Sequence, residues 1–543
     1  MARRISRWAA LVVPVIYLLL HAGAIQAQAP FLKGPDQQAK AADNSNFIFA
    51  ALYSNLKTWP SAYAPNGRAM VPATIKAGTL LYHSGVNPIG MGWFANMLYT
   101  YAATRPLRSV YFDGFSAEKG ADGTQDMQDM LIGLDNTYDL RAADSERGRL
   151  LCEWGKQYDI QGFVREEATF ELLWCDFEDG VQMLSVINIT IPANPNSEDA
   201  LLDTHGDSFE EEPPRDDGPA GGTGGHGPPD RGAPTLYTNQ ANWLWYLATA
   251  SHHTMPDSRV ILHPAYTITL YDAKYTSLAA NTKLPRRKHR LIDISPADKA
   301  VFHAELDEAI TAWIDDPRGE GSGVDWSSIA HAIIKRSGDS IAELHTLLAN
   351  VNATSKVTDV VSTARLIAFA LIMPYADHAA VFAPTITAAS RSAVLADISL
   401  QCSLAFTGHI DAQLYRLTPQ EERLKGAVEG VSRRICAFAA GTFDESLNLL
   451  ESLAGEVDFA CAQAQAVQAL ERWLGNVEEL MEWLGWAIWK RCPEVCGWDE
   501  VCYIHMWPLN IDSNKGGPDP ASLPPPVEDG QELKPRCAKR SEF

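Results

Sequence analysis

Residues 193–234 constrain the fold of this chain more than any other stretch, because there the composition collapses into Pro, Gly, Asp and Glu. The run includes Glu210-Glu211-Glu212-Pro213-Pro214 and a glycine-rich stretch around His226. Such a segment cannot bury enough apolar surface to offset the entropy of ordering it. It is expected to be a disordered linker or a long surface insertion, with folded structure on either side. The chain has 543 residues, 46% of them hydrophobic and 9% aromatic, which supplies a real core. At roughly 100–200 residues per domain it has room for two to four domains.

Upstream, strand-like runs at residues 79–83 and 108–112 mix with a helical stretch at 142–158, which reads as an α+β domain. Downstream, residues 260–271 have the β-branched and aromatic content of a strand. Then the chain turns helical. Ser295-Pro296-Ala297-Asp298 places a capping serine, a first-turn proline and an acid where a helix start needs them. Thr418-Pro419-Gln420-Glu421 repeats that signal. Val301, Phe302, Leu306, Ile310 and Trp313 recur at helical spacing. So do Leu424, Val428, Val431, Ile435 and Phe438, and a third set of Val467, Leu470, Leu474, Val477, Leu480, Leu484 and Ile488. These stripes suit helix-on-helix packing. The apolar run at 366–372 is short and stopped by Pro374, so it reads as a buried helix rather than an anchor.

The fold class expected is an α+β N-terminal domain followed by a mostly helical C-terminal region with a disulfide-rich cap. The expected divisions are 28–193 for the α+β domain, 194–235 for the linker, 236–400 for a strand-then-helix domain, 401–508 for a helical bundle with a Cys-rich cap, and 509–543 for a mobile tail.

Arg3, Arg4 and Arg7 precede an apolar run from Trp8 to Leu20 and the small residues Ala22-Gly23-Ala24, the pattern of a cleavable signal peptide over 1–24. The run is too short to span a membrane, which takes roughly 20 residues. A secreted or lumenal protein without a stable membrane anchor is expected. In that compartment disulfides are the default fate of the nine cysteines. Cys492, Cys496, Cys502 and Cys537 are expected to form two bridges among themselves, in any of three pairings. An odd total leaves one thiol over. Asn188 and Asn352 head glycosylation sequons. The net charge of −22 argues against a nucleic-acid partner.

No Gly-x-Ser-x-Gly elbow, His-Glu-x-x-His helix or phosphate-binding loop is present. The acids Asp113, Glu118, Asp122, Asp126 and Asp129 lack the spacing of a calcium loop and read as a solvated acidic loop. His252-His253 lacks partners at metal-ligand spacing, and a disulfide knot is the better reading of the C-terminal cysteines than zinc, so no metal site is expected.

Two resemblances enter on particular residues. His83-Ser84-Gly85, Trp93-Phe94-Ala95, Asp113-Gly114 with Gln128-Asp129, Phe163 with Phe170-Glu171, and the segment from Trp483 through Cys492, Cys496 and Cys502 to Trp507-Pro508 resemble a family of uncharacterised secretory proteins of filamentous fungi. That likeness carries no activity with it. The N-terminal part alone is similar to the ADP-ribosyltransferase-like fold, in a strand ending Tyr82-His83-Ser84-Gly85, a following Trp93-Phe94 and a glutamate on a late strand. It implies that His83 holds the ribose of NAD, Trp93 or Phe94 stacks on nicotinamide, and Glu171 is the catalytic carboxylate. The function expected from these readings is extracellular interaction with a protein or glycan partner and no cofactor, with the NAD-dependent transferase or glycohydrolase as the alternative.

Overall fold

The computed structural model describes residues 44–85, 97–118, 123–134, 144–167, 170–188, 256–352, 354–412, 416–455, 459–504, 511–512, 517–518 and 534–540. The signal-peptide region, Trp93, Phe94, Asp122, residues 193–234 and His252-His253 lie outside them.

After helices α1 (Ser45–Ser54) and α2 (Thr58–Tyr63) come strands β1 (Asn66–Ile75), β2 (Leu80–Gly85), β3 (Met97–Ala103) and β4 (Leu107–Gly114). Helices α3 (Asp126–Ile132) and α4 (Asp144–Lys156) cross to β5 (Gly162–Glu166), followed by β6 (Phe170–Trp174) and β7 (Val181–Asn188). The larger sheet runs β6-β5-β4-β1-β8, where β8 is Val260–Leu262, and β9 (Ile268–Thr269) also pairs with β1. β4 and β5 are parallel, which a helical crossover permits, and the other pairs are antiparallel. β2, β3 and β7 form a separate three-stranded sheet.

Period-two alternation gives each face of the larger sheet its own core. Met70, Val110, Phe112 and Phe163 pack against Met127 and Leu131 of α3, Leu151 of α4, and Phe302 and Leu306 of α5 (Pro296–Asp315). On the other face Val71, Ala73, Tyr111, Val164 and Trp174 meet Leu56 and, from the small sheet, Leu81, Ala103 and Val181. The unit is three layers, helices on sheet on sheet.

The helical region contains α6 (Trp326–Ala349), α7 (Val357–Ile372), α8 (His378–Val381), α9 (Ala388–Leu404), α10 (Gly408–Ala412), α11 (Pro419–Ala454) and α12 (Phe459–Leu484). Both sequence-read starts are formed. The Ser295 hydroxyl accepts from the Asp298 N–H at 3.1 Å, and Thr418 and Glu421 make a reciprocal capping box. Gly485, at φ +58°, lets the chain leave α12, so Ile488 falls in a short 3-10 turn beyond it. Val301 and Val467 of the expected stripes are exposed, while those seams supply core residues such as Phe302, Ile310, Val431 and Val477, joined by Trp473, which the stripes did not include. Residues 357–375 are long and apolar enough to cross a membrane by length and composition alone. Within the fold, Val361, Ala364, Ile367, Ala368 and Ile372 of that stretch are buried core.

Two elements cross between the halves. Residues 260–271 are not one strand, because Pro264 opens a 3-10 turn that splits β8 from β9, and both pieces complete the N-terminal sheet. Conversely α1 gives Ile48, Phe49 and Leu52 to the core of the helical bundle. The halves are also pinned by polar groups. The Thr418 hydroxyl, at the head of α11, donates to the Ala265 carbonyl between β8 and β9 at 2.5 Å, while buried Glu421 braces the bundle itself by accepting from Trp326 Nε1 at 3.0 Å.

Eight cysteines stand in disulfide pairs, Cys152–Cys175, Cys402–Cys436, Cys492–Cys502 and Cys496–Cys537, and Cys461 is exposed and outside these bridges. The four C-terminal cysteines thus pair among themselves. They staple a cap in which β10 (Glu500–Tyr503) pairs with β13 (Arg536–Lys539), with the short pair β11 (Ile511–Asp512) and β12 (Gly517–Pro518) between them in sequence. The sulfurs of Cys492, Cys496 and Cys502 lie close together, but each is used in a bridge and offers no thiolate to a metal.

Candidate functional site

β4 and β5 run parallel, so both carboxyl ends open on the same edge of the larger sheet, the place where sheets of this kind carry sites. The loop after β4 is tied down there. Ser116 donates to the Phe112 carbonyl at 2.8 Å and accepts from the Glu166 N–H at 3.1 Å, and Gln128 donates to the Ser116 carbonyl at 2.7 Å.

On the helix-covered face this edge holds a buried ion-pair network. Arg165 Nη2 donates to both carboxylate oxygens of Glu171 at 2.9 Å each, and its Nη1 reaches Asp144 at 3.0 Å. Arg147 donates to Asp129 from Nε at 2.6 Å and from Nη2 at 3.2 Å, and shares Asp144 at 3.4 Å. Both guanidiniums are fully buried. Charges at such depth persist only when paired and hydrogen-bonded, and here each arginine has two acidic partners. Asp126 binds Arg290 through both oxygens, at 2.8 and 2.9 Å, and accepts the Leu291 N–H.

The opposite face carries a different chemistry. Asp113 accepts the Ala69 N–H at 2.6 Å, Glu166 accepts the Thr58 hydroxyl at 3.0 Å, and the Tyr111 hydroxyl accepts the Leu56 N–H at 3.1 Å. Burial pushes Asp113 up to about 7, against the pull of the Ala69 N–H and Arg286. It pushes Glu166 up to about 8, with Thr58 opposing. Glu166 Oε2 has no hydrogen-bond partner among the described residues. These two carboxyls hold protons near neutrality and can give or take them, whereas Asp144 and Glu171 are committed to arginines.

The acids read from sequence as a solvated loop are therefore buried in Asp113, Glu118, Asp126 and Asp129. The reason is tertiary, since Arg147 and Arg290, which answer Asp129 and Asp126, come from helix α4 and from a loop beyond residue 260. The partners of Asp113, Asp126 and Asp129 differ, and these acids do not converge on a cation position.

Of the sequence-read site residues, His83 lies in β2 opposite Tyr99, with its ring 5.4 Å from that of Phe177. Glu171 lies between Phe170 and Leu172, which face the small sheet, so alternation turns Glu171 to the helix side. The structure thus sets Glu171 and His83 on opposite sides of the larger sheet and does not bring them together. Sequence reasoning missed Arg165, Arg147, Asp144 and Glu166. One signal was available, because residues 162–166 and 170–174 are two short strand-like runs split by Glu167-Ala168-Thr169. Read as a hairpin, they put Arg165 directly across from Glu171, as observed.

Comparison with known proteins places residues 93–202 on the family model described as the YPL277C N-terminal domain. Two uncharacterised proteins of Saccharomyces cerevisiae are similar. YOR389W is 27% identical over 214 residues, covering 28% of this chain and 34% of the relative, and YPL277C is 26% identical over 215 residues, covering 28% and 44%. The chain spans less than half the length of these curated relatives. No solved structure matches it.

Proposed function

We propose that this chain is a secreted or lumenal protein that works by binding an extracellular partner. The observation that carries the reading is the exposed apolar surface of the small sheet, where Leu80, Tyr82, Met183, Leu184, Val186 and Ile187 are 43–61% exposed. By register Leu80, Tyr82 and Ile187 lie on one face of the sheet and Met183 and Val186 on the other, and exposed apolar residues in such number mark contact sites on proteins that otherwise keep them inside. β7 contains no charged residue in a chain of net charge −22. The four cysteine pairs support passage through an oxidising compartment.

Sedimentation of the protein in its native medium tests the reading, beside a Leu184→Lys/Ile187→Lys variant. The wild type should travel heavier than a single chain and the variant as a monomer with unchanged thermal melting. A wild type that stays monomeric in the medium, or a variant that keeps the excess mass, overturns it.

A further inference from the structure

At the edge of the larger sheet opposite the buried ion-pair network, β1, the start of β4, the residue after β8 and the turn after α5 enclose a cavity of about 370 Å³, inside the size range of small-molecule sites, roughly 300–1,000 Å³. Arg105, Arg108, Arg318, Thr74 and His263 line it. In a chain of net charge −22, three arginines against the two aspartates Asp159 and Asp316 make this wall locally basic. We propose that the cavity binds a tetrahedral oxyanion, a phosphate or sulfate group, and that His263 takes up a proton as the anion enters. The inference goes beyond the binding role of the small sheet and does not rest on it.

The register sets an arginine beside a hydroxyl. Thr74 of β1 stands directly opposite Arg108 of β4, so the two side chains share one face of the sheet. Gln161 Oε1 accepts from Arg105 Nη1 at 3.0 Å and from the Arg108 N–H at 3.2 Å, which ties the Arg105 guanidinium to the strand that carries Arg108. The acids of the wall are already answered. Asp159 accepts from Arg108 Nη1 at 3.1 Å, and Asp316 accepts the Tyr266 hydroxyl at 2.8 Å and the N–H groups of Gly321 and Arg318 at 2.8 and 3.0 Å. The ion pairs of Arg105 with Asp179, Arg108 with Asp159 and Arg318 with Glu320 stand open to water and hold their arginines weakly. A tetrahedral oxyanion offers these guanidiniums several acceptors at once, a stronger match than single exposed carboxylate contacts.

The Thr74–His263 pair accounts for the proton. The Gly319 carbonyl can only accept, so His263 Nδ1 carries the hydrogen that reaches it at 2.8 Å, and Nε2 is the bare nitrogen that accepts the Thr74 hydroxyl at 2.9 Å. The neutral imidazole therefore consumes the one hydrogen Thr74 can donate. Burial holds His263 below the ordinary histidine value, against the pull of the Gly319 carbonyl, Asp316 and Glu320. The other charged groups of the wall are Arg105 and Arg108 from the start of β4, Asp159 from before β5 and Arg318 from the turn after α5. A bound anion adds negative charge to this set and favours the imidazolium. With a proton from solvent on Nε2, His263 donates to Thr74, and the hydroxyl hydrogen turns to the anion.

Calorimetric titration of the purified full-length protein with sodium sulfate at neutral pH, in two buffers of different ionisation heat, tests the assignment. Sulfate does not titrate there, so a proton taken up on binding belongs to the protein. Sulfate should bind saturably with proton uptake. Arg108→Gln and Thr74→Val should each weaken binding at least tenfold while the melting temperature stays within a few degrees. Thr74→Ser, which keeps the hydroxyl, should bind as wild type does, and His263→Gln should bind without proton uptake. Absence of saturable sulfate binding, wild-type binding without proton uptake, an Arg108→Gln variant that binds as wild type, or uptake that persists in His263→Gln overturns the proposal. Glucose 6-phosphate titrated beside inorganic phosphate separates an ester from the free ion, the tighter binder naming the source and the proposal standing with either.

Discussion

Arg165 and Glu171 face each other across the β5–β6 hairpin, one guanidinium nitrogen 2.9 Å from both carboxylate oxygens. The pair closes a chain of buried charges that reaches through Asp144 to Arg147 and Asp129. Removing one member of such a network leaves its neighbours uncompensated, which is worse than never having buried them. Arg165→Met should therefore destabilise the protein by about 3–5 kcal/mol. Glu171→Gln, which keeps shape and loses charge, should cost about 1–3 kcal/mol. Urea titrations of the two variants check both numbers.

The same geometry bears on NAD chemistry. A carboxylate that stabilises a developing sugar cation must be free to face it, and Glu171 is instead spent on Arg165, across the sheet from His83. Wild type and Glu171→Gln should release nicotinamide from NAD at the same background rate. A wild type that clearly exceeds the variant would restore the transferase reading.

Stability should depend on pH through three buried groups. Asp113 and Glu166 keep their protons up to about 7 and about 8, far above their ordinary 3.8 and 4.5. The folded state therefore binds more protons than the unfolded one between about pH 4 and 8, and stability falls as pH rises through that window. Lys57 acts in the opposite sense. Burial lowers it to about 7 from 10.5, so above pH 7 the unfolded state holds the extra proton and stability rises with pH. Melting temperature against pH should show a valley near pH 7–8. Glu166→Gln should flatten its acidic side and Lys57→Met its alkaline side.

Bridge removal gives a fourth measurement. Cys402–Cys436 ties α9 to α11 and closes a loop of 34 residues. Replacing both cysteines with alanine should cost about 2–4 kcal/mol. Peptide mapping without reduction should return the four pairs and alkylate Cys461 alone.

Proteolysis between residues 193 and 234 should yield two fragments on a denaturing gel that elute together under native conditions. The fragments share a sheet through β1, β8 and β9 and a bundle core through α1. Fragments that separate on native chromatography would contradict that exchange.

Local signals read well from the sequence. The caps at Ser295 and Thr418, the strands near residues 80 and 110 and the pairing of the last four cysteines depend on neighbours in the chain or on a short cap that must staple itself. The acids were misread because what answers them is distant. Asp126 meets Arg290 only after the chain has passed through residues 193–234, and nothing near Asp126 announces that arginine. Glu166 went unnoticed because its protonation follows from burial beside Thr58 of α2, which no local pattern encodes. The division of the chain failed to foresee the exchange of α1 and β8 for the same reason.

That exchange sets a schedule for synthesis. β1 leaves the ribosome long before its partners β8 and β9, so this interior strand must wait through about two hundred residues with one edge unpaired, a span of roughly 10–40 s at 5–20 residues per second. Through the same interval the apolar face of α1 has no bundle to enter. A nascent chain in this state is a natural client for chaperones, and neither half of the gene should give a well-behaved product when expressed alone.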